Sequence, residues 1–242
     1  MSPCIGIGRL VHATEDAVPG FYGATVVCDN GGDVRLEAAA ALRGGLVRFT
    51  FGASADRTIF VRLDSPLDAF VGGSVWEDPQ RPGALFGFRS SNATHHCGAP
   101  RTLYWHATFE PAFLRLEERG ATTYAAVFGD INITTVRSFI SHLDQDGARR
   151  NAEAEIPLEE ATIPSKIALD IGLHSGLATH RWDTILSAVA VAPTAVVLGG
   201  YDGDARTRFY SALYHAHLGP TLLADAADGG FKWGGRAYPV RS

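Results

Sequence analysis

From Phe21 to Leu63 the chain repeats one pattern, short runs of alternating apolar and polar residues cut by glycine-rich turns. Alternation at period two sends successive side chains to opposite faces of an extended strand, so each run has a face to bury and a face to wet. Phe21 to Cys28 reads as a strand, and Asn30-Gly31-Gly32-Asp33 supplies residues that accept positive φ for a hairpin turn. Val34, Leu36, Ala38 and Ala40 then face one way against Arg35 and Glu37. Arg43-Gly44-Gly45 turns the chain again, and Val47, Phe49 and Phe51 share a face, as do Ile59, Val61 and Leu63. The pattern predicts four strands in an antiparallel meander. The chain's 27 glycines sit mostly between such runs, as turns in an all-β region require.

Further along, Asp64-Ser-Pro, Asp78-Pro, Arg81-Pro82-Gly83 and Ala99-Pro100 interrupt the alternation, which predicts irregular edges with short strands near 70–76 and 84–89. Alternation resumes at Leu103, Trp105, Ala107 and Phe109, at Tyr124, Ala126 and Phe128, and from Ile131 to Ile140. A total of about eight to ten strands suits two packed sheets. After Ser141 the period changes. Asp144 to Glu155 is rich in Ala, Arg and Glu, good helix formers, and Pro157 closes it. A second helical segment is expected from about Ser165 to Ala192-Pro193, with Trp182, Ile185, Leu186 and Val189 as its apolar stripe, and Thr194 to Leu198 is expected to be extended.

Arg206 to Pro220 has the spacing of a third helix. Phe209, Ala212, Leu213 and Ala216 form one stripe, expected to be core, and Tyr210, Tyr214 and His217 a second about 100° round. Asp202 or Asp204 is placed to cap the first turn, and Gly219-Pro220 stops the helix. The plain reading of the aromatic stripe is tyrosine rings that pack while their hydroxyls reach water.

A chain of 242 residues is long enough to bury about 70% of the surface its unfolded form exposes. Its net charge of −5 and the lack of a Lys/Arg cluster give no reason to expect nucleic acid or an anionic membrane as partner. No apolar run approaches the roughly 18 residues of a membrane span, and Met1 to Val11 lacks the basic start and apolar centre of an export signal. Cys4, Cys28 and Cys97 lack CxxC spacing, so zinc and redox motifs are not supported and at most one bridge is expected. His95-His96-Cys97 makes a poor metal site, because adjacent residues of an extended chain point apart. No G-x-S-x-G elbow and no phosphate-binding glycine loop is present.

Phe209-Tyr-Ser-Ala-Leu-Tyr-His215, a proline five residues on, then Asp225, Asp228-Gly229, Phe231 and Gly234 resemble the "FYTALYHT…P…D.DG.Y.G" block of glycoside hydrolase family 92, the calcium-dependent exo-α-mannosidases. His12-Ala-Thr-Glu15-Asp-Ala17-Val-Pro19-Gly20-Phe21-Tyr22 is similar to that family's "SH..E.A.PGYY" segment. Val34-Arg-Leu-Glu37 through Arg48-Phe-Thr-Phe51, Phe139-Ile-Ser141 with Asn151 and Glu155, and Ala178 through Trp182, Leu186 and Val191 resemble further family segments in the right order. The resemblance implies a mainly β fold: a two-sheet antiparallel sandwich of the supersandwich type over 1–140, a helical linker with a short extended segment over 141–201, and the first helix of an (α/α) barrel over 202–242. It also implies a mannose-containing glycan as partner, and calcium in the complete family fold though none in this chain. Family members are often secreted or periplasmic.

Glycoside hydrolysis needs a carboxylic acid to protonate the leaving oxygen and a carboxylate to activate water or attack. Here Glu15/Asp16, Asp202/Asp204, Glu159/Glu160 and Asp225/Asp228 sit in expected loops, turns or helix starts, and none is expected to be a catalytic couple. The family segments that carry the catalytic carboxylates and calcium ligands have no counterpart here. The expectation is an incomplete member, inactive as an isolated chain, whose barrel a second chain or further segment would complete. The competing expectation is a free-standing, non-catalytic carbohydrate-binding sandwich. Sugar binding needs only aromatic faces and a few polar groups. Tyr210, Tyr214, His215, Asp225 and Trp233, on or just beyond the helix that borders the family's pocket, are the candidates to supply them.

Overall fold

The computed structural model describes residues 8–28, 31–64, 69–92, 100–158, 169–191, 204–218, 224–226, 229–233 and 236–239. Eleven strands make two antiparallel sheets. In chain order they are β1 (Arg9–Val18), β2 (Phe21–Val27), β3 (Asp33–Ala40), β4 (Gly44–Phe51), β5 (Thr58–Arg62), β6 (Ala69–Glu77), β7 (Ala84–Asn92), β8 (Pro100–Glu110), β9 (Arg115–Glu118), β10 (Thr123–Val127) and β11 (Ile133–Ser141). The large sheet has eight strands in the order β1-β2-β3-β4-β11-β8-β7-β6, and the small one three in the order β5-β10-β9. Among the described residues three helices follow, α1 (Gln145–Glu155), α2 (Ile171–Leu186) and α3 (Asp204–Leu218), then a hairpin of β12 (Gly230–Trp233) and β13 (Arg236–Pro239).

The alternating stretch is a meander only through β4. Its fourth run, β5, leaves for the small sheet and pairs with β10, while β4 takes β11 as its neighbour. Two strands are longer than the broken alternation predicts, since β6 and β7 each run nine residues and pair along most of their length. A register shift between Phe70 and Gly72 absorbs the irregular spacing. β1 and β9 are polar strands at sheet edges, where neither face need be apolar.

Two cores share the large sheet. Between the sheets lie Leu85, Ala107, Phe109, Tyr124, Phe128 and Val136, the inward faces of their strands. On the opposite face of the large sheet, Ala39, Leu46 and Phe139 meet Ala152 and Ile156 at α1 and Leu169 and Ile171 at α2. α1 begins where expected, with the Asp144 side chain accepting from Gly147 N at 2.6 Å. Beneath it lies a buried polar group: Arg137 donates through Nη1 to Ile156 O at 2.5 Å, and His106 Nε2 sits 3.5 Å from Asp78 Oδ2. Burial first, then the Arg137 charge, lowers the His106 pKa to about 4.

α2 starts at Asp170, whose side chain accepts from Leu173 N, and ends at Leu186, earlier than the predicted Ala192. The expected strand Thr194 to Leu198, the cap at Asp202, the stop at Gly219-Pro220 and the His95-His96-Cys97 run lie outside the described residues. Cys28 is disulfide-bonded.

Candidate functional site

The site forms where the β1–β2 turn meets the two later helices. Pro19-Gly20 makes that turn, and Gly20 has φ +89 and lies so close to α2 that an added Cβ would come 2.3 Å from Ala178 Cβ. Only glycine serves there. The Thr179 hydroxyl donates to Pro19 O at 3.0 Å and fixes the contact. α3 is drawn in by its aromatic stripe. Tyr210 donates its hydroxyl proton to Val189 O at 3.1 Å and accepts from Val191 N at 3.5 Å, and the Tyr214 ring meets Trp182 at 4.5 Å between centroids.

α3 thus turns round its axis relative to the prediction. Phe209, Ala212 and Ala216 are at the surface, with Phe209 38% exposed, while Tyr210 and Tyr214 face the rest of the chain. The apolar stripe does not form core because the tyrosines offer both ring area and a hydroxyl for carbonyl groups left unpaired after α2.

Between the three elements lies a cavity of about 580 Å³. Ala17, Val18, Pro19, Phe21 and Tyr22 line it from the β1–β2 side, Leu186 from α2, and Thr207, Tyr210, Ser211, Tyr214 and His215 from α3. The walls combine aromatic faces with hydroxyls and an imidazole, the make-up of a site for a small polar ring. His215 stands edge-on to Tyr214 with centroids 5.8 Å apart. None of these lining residues is Asp or Glu.

Three of the five candidate residues, Tyr210, Tyr214 and His215, therefore share one cavity. Asp225 is elsewhere, 3% exposed and hydrogen-bonded within the fold. Its Oδ2 accepts from Ser141 Oγ at 2.6 Å and its Oδ1 from Asn151 Nδ2 at 2.9 Å, while Asn151 Oδ1 accepts from Ala226 N at 2.7 Å. Gly147 on α1 makes room, since a Cβ there would lie 2.4 Å from Asp225 Oδ2. Beside this group Arg43 donates to Ala224 O at 2.5 Å and pairs with Glu155 at 2.7 Å. Trp233 ends β12, paired with Arg236, and its side chain lies outside the described residues.

The β1–β2 side brings a group that the sequence argument missed. Tyr22 Oη donates to Glu15 Oε1 at 2.7 Å, and Glu15 Oε2 is 2.6 Å from His12 Nδ1. The Tyr22 hydrogen bond, then that of His12, holds the Glu15 carboxyl below its usual pKa, and Glu15 raises the Tyr22 phenol. Glu15 is noticeable in the sequence only as a neighbour of Asp16, and the bulge between Val11 and Asp16 that brings it to His12 and Tyr22 has no plain sequence signal.

Among the described residues no group of three or more His, Cys, Asp or Glu side chains is placed to hold a metal ion. Nor is any helix among them long and apolar enough to cross a membrane.

No protein-family model matches the chain, and no curated protein does. Solved structures do. A family GH92 α-mannosidase from Bacteroides thetaiotaomicron superposes with a TM-score of 0.73 at 21% identity, covering 97% of this chain and 31% of its own. The same enzyme in complex with mannoimidazole gives 0.72 at 20% identity, covering 96% and 30%. A further GH92 family glycosyl hydrolase gives 0.77 at 19% identity, covering 97% and 32%. The chain has the fold of a part of these proteins and spans about a third of their length.

Proposed function

We propose that this chain is a family 92-type sandwich and linker whose cavity holds a mannose-type ring without cleaving it. The observation that carries the reading is the gathering of Tyr22, Tyr210, Tyr214 and His215 around one cavity of about 580 Å³, in a fold shared with α-mannosidases. A single hexose fits such a space, and the mannoimidazole complex of a structural neighbour supports the choice of sugar. Turnover is not expected of the chain alone, because the lining residues include no carboxylate and hydrolysis requires two held about the glycosidic bond. Calorimetry with methyl α-D-mannopyranoside tests the binding. Saturable heat that disappears in Tyr214→Ala is expected, and absence of binding to this and any other mannose-containing glycan removes the reading. Release of aryl alcohol from an aryl α-mannoside with calcium, above a matched blank, would contradict the non-catalytic part.

A second reading concerns the surface. α2 exposes Leu173, Leu177 and Ile185, and α3 exposes Phe209. In a protein three times as long these faces would be covered by further helices, from the same polypeptide or a second chain, and the complete assembly would carry the hydrolysis. The alternative is a free-standing binding module, favoured by a cavity walled by this chain's own residues.

A further inference from the structure

We infer that Tyr22 selects the ligand by accepting a hydrogen bond from one ring hydroxyl, and that Glu15 fixes it in that accepting role. The inference rests on the reading of the cavity as a monosaccharide site.

A phenol has one proton to donate. In Tyr22 that proton goes to Glu15 Oε1 at 2.7 Å, so toward any further partner its oxygen can only accept. Glu15 is held in turn by His12 at its other oxygen, 2.6 Å away. Its carboxyl is kept below the ordinary range and the phenol above its own, so the carboxylate stays charged and the phenol protonated across neutral pH. Tyr22 lines the cavity opposite α3. Tyr210 is differently placed, because its hydroxyl already gives to Val189 O and receives from Val191 N, which leaves its ring to act as a surface. Through Tyr22 the β1–β2 side thus offers an acceptor whose own proton is committed to Glu15, while the lining residues themselves include no Asp or Glu. A neutral ring with a hydroxyl to donate is the chemistry that fits.

The test is a cycle of variants against analogues, with binding of methyl α-D-mannopyranoside, its four monodeoxy derivatives and the matching deoxyfluoro derivatives measured by calorimetry. For the native chain one deoxy position should cost about fivefold or more in affinity, and fluorine there should restore nothing, since fluorine cannot donate. Tyr22→Phe should lower affinity for the parent sugar by the same factor and become indifferent to that one position. Glu15→Ala frees the Tyr22 proton, so it should bind the fluorinated analogue better than the native chain does. If Tyr22→Phe and the native chain show the same analogue profile while Tyr214→Ala abolishes binding, the role of Tyr22 is overturned and the sugar site stands. If the native chain binds none of the probes, both fall.

Discussion

At the scale of single residues, two buried polar side chains, Asp225 and His106, carry clear consequences. Replacing Asp225 with Ala would take away the acceptor of the Ser141 hydroxyl proton and of one N–H of Asn151, whose Nδ2 keeps only Ile140 O. Buried groups left unsatisfied cost about 1–3 kcal/mol each, so a loss of about 2–4 kcal/mol in urea unfolding is expected, with binding of sugar impaired less than folding. His106 predicts a pH dependence. Its folded pKa of about 4 lies below the ordinary 6.5, so the unfolded chain takes up the proton first. Its contribution is therefore fully present above about pH 6.5 and is lost as pH falls toward 4. The size is about 3 kcal/mol at most, and His106→Gln should flatten the melting temperature between pH 6.5 and 4.5. Burial lowers His142 as well, so it adds to the loss in the same window and His106→Gln should flatten the curve only in part, whereas the lowered carboxylates Glu15, Asp64 and Glu117 act at more acid pH.

At the scale of elements, the outward stripe of α3 invites a direct measurement. Phe209→Asp puts a charge where Phe209 is exposed, so the fold should survive, and any self-association seen by light scattering at high concentration should fall. This helix also shows where sequence reading stops. Its limits and its two stripes follow from spacing, but which stripe turns inward depends on carbonyls near Val189 and on Trp182, neither of which spacing encodes. The strands divide in the same way. β2, β3 and β4 are plain from alternation, although the large sheet carries core on both faces, with Ala39 and Leu46 packed toward α1 and α2 and Phe49 toward the small sheet. β1 and β9 escape notice because an edge strand need not have an apolar face, while β6, expected near 70–76, is found slightly longer with a register shift that blurs its period. Of the site, Tyr210, Tyr214 and His215 were legible from one helix, whereas Tyr22 and Glu15 became visible only once the β1–β2 turn was seen against α2.

At the scale of the whole molecule, hydrogen bonds tie the stretch after α3 back to the sandwich and α1. Ala224 and Asp225 are held by Arg43, Ser141 and Asn151, so the stretch after α3 shares an interior with the sandwich. A fragment ending at residue 201 should melt well below the full chain, by about 3 kcal/mol or more in stability, because it strips partners from groups buried at α1. The same anchoring acts on α3, which is tied near its middle by Tyr210 and followed by a segment locked through Asp225. A helix tied in this way resists swinging aside to admit a guest. The recess beside it is preorganised, so association should proceed in a single kinetic phase and leave the circular dichroism spectrum of the backbone unchanged.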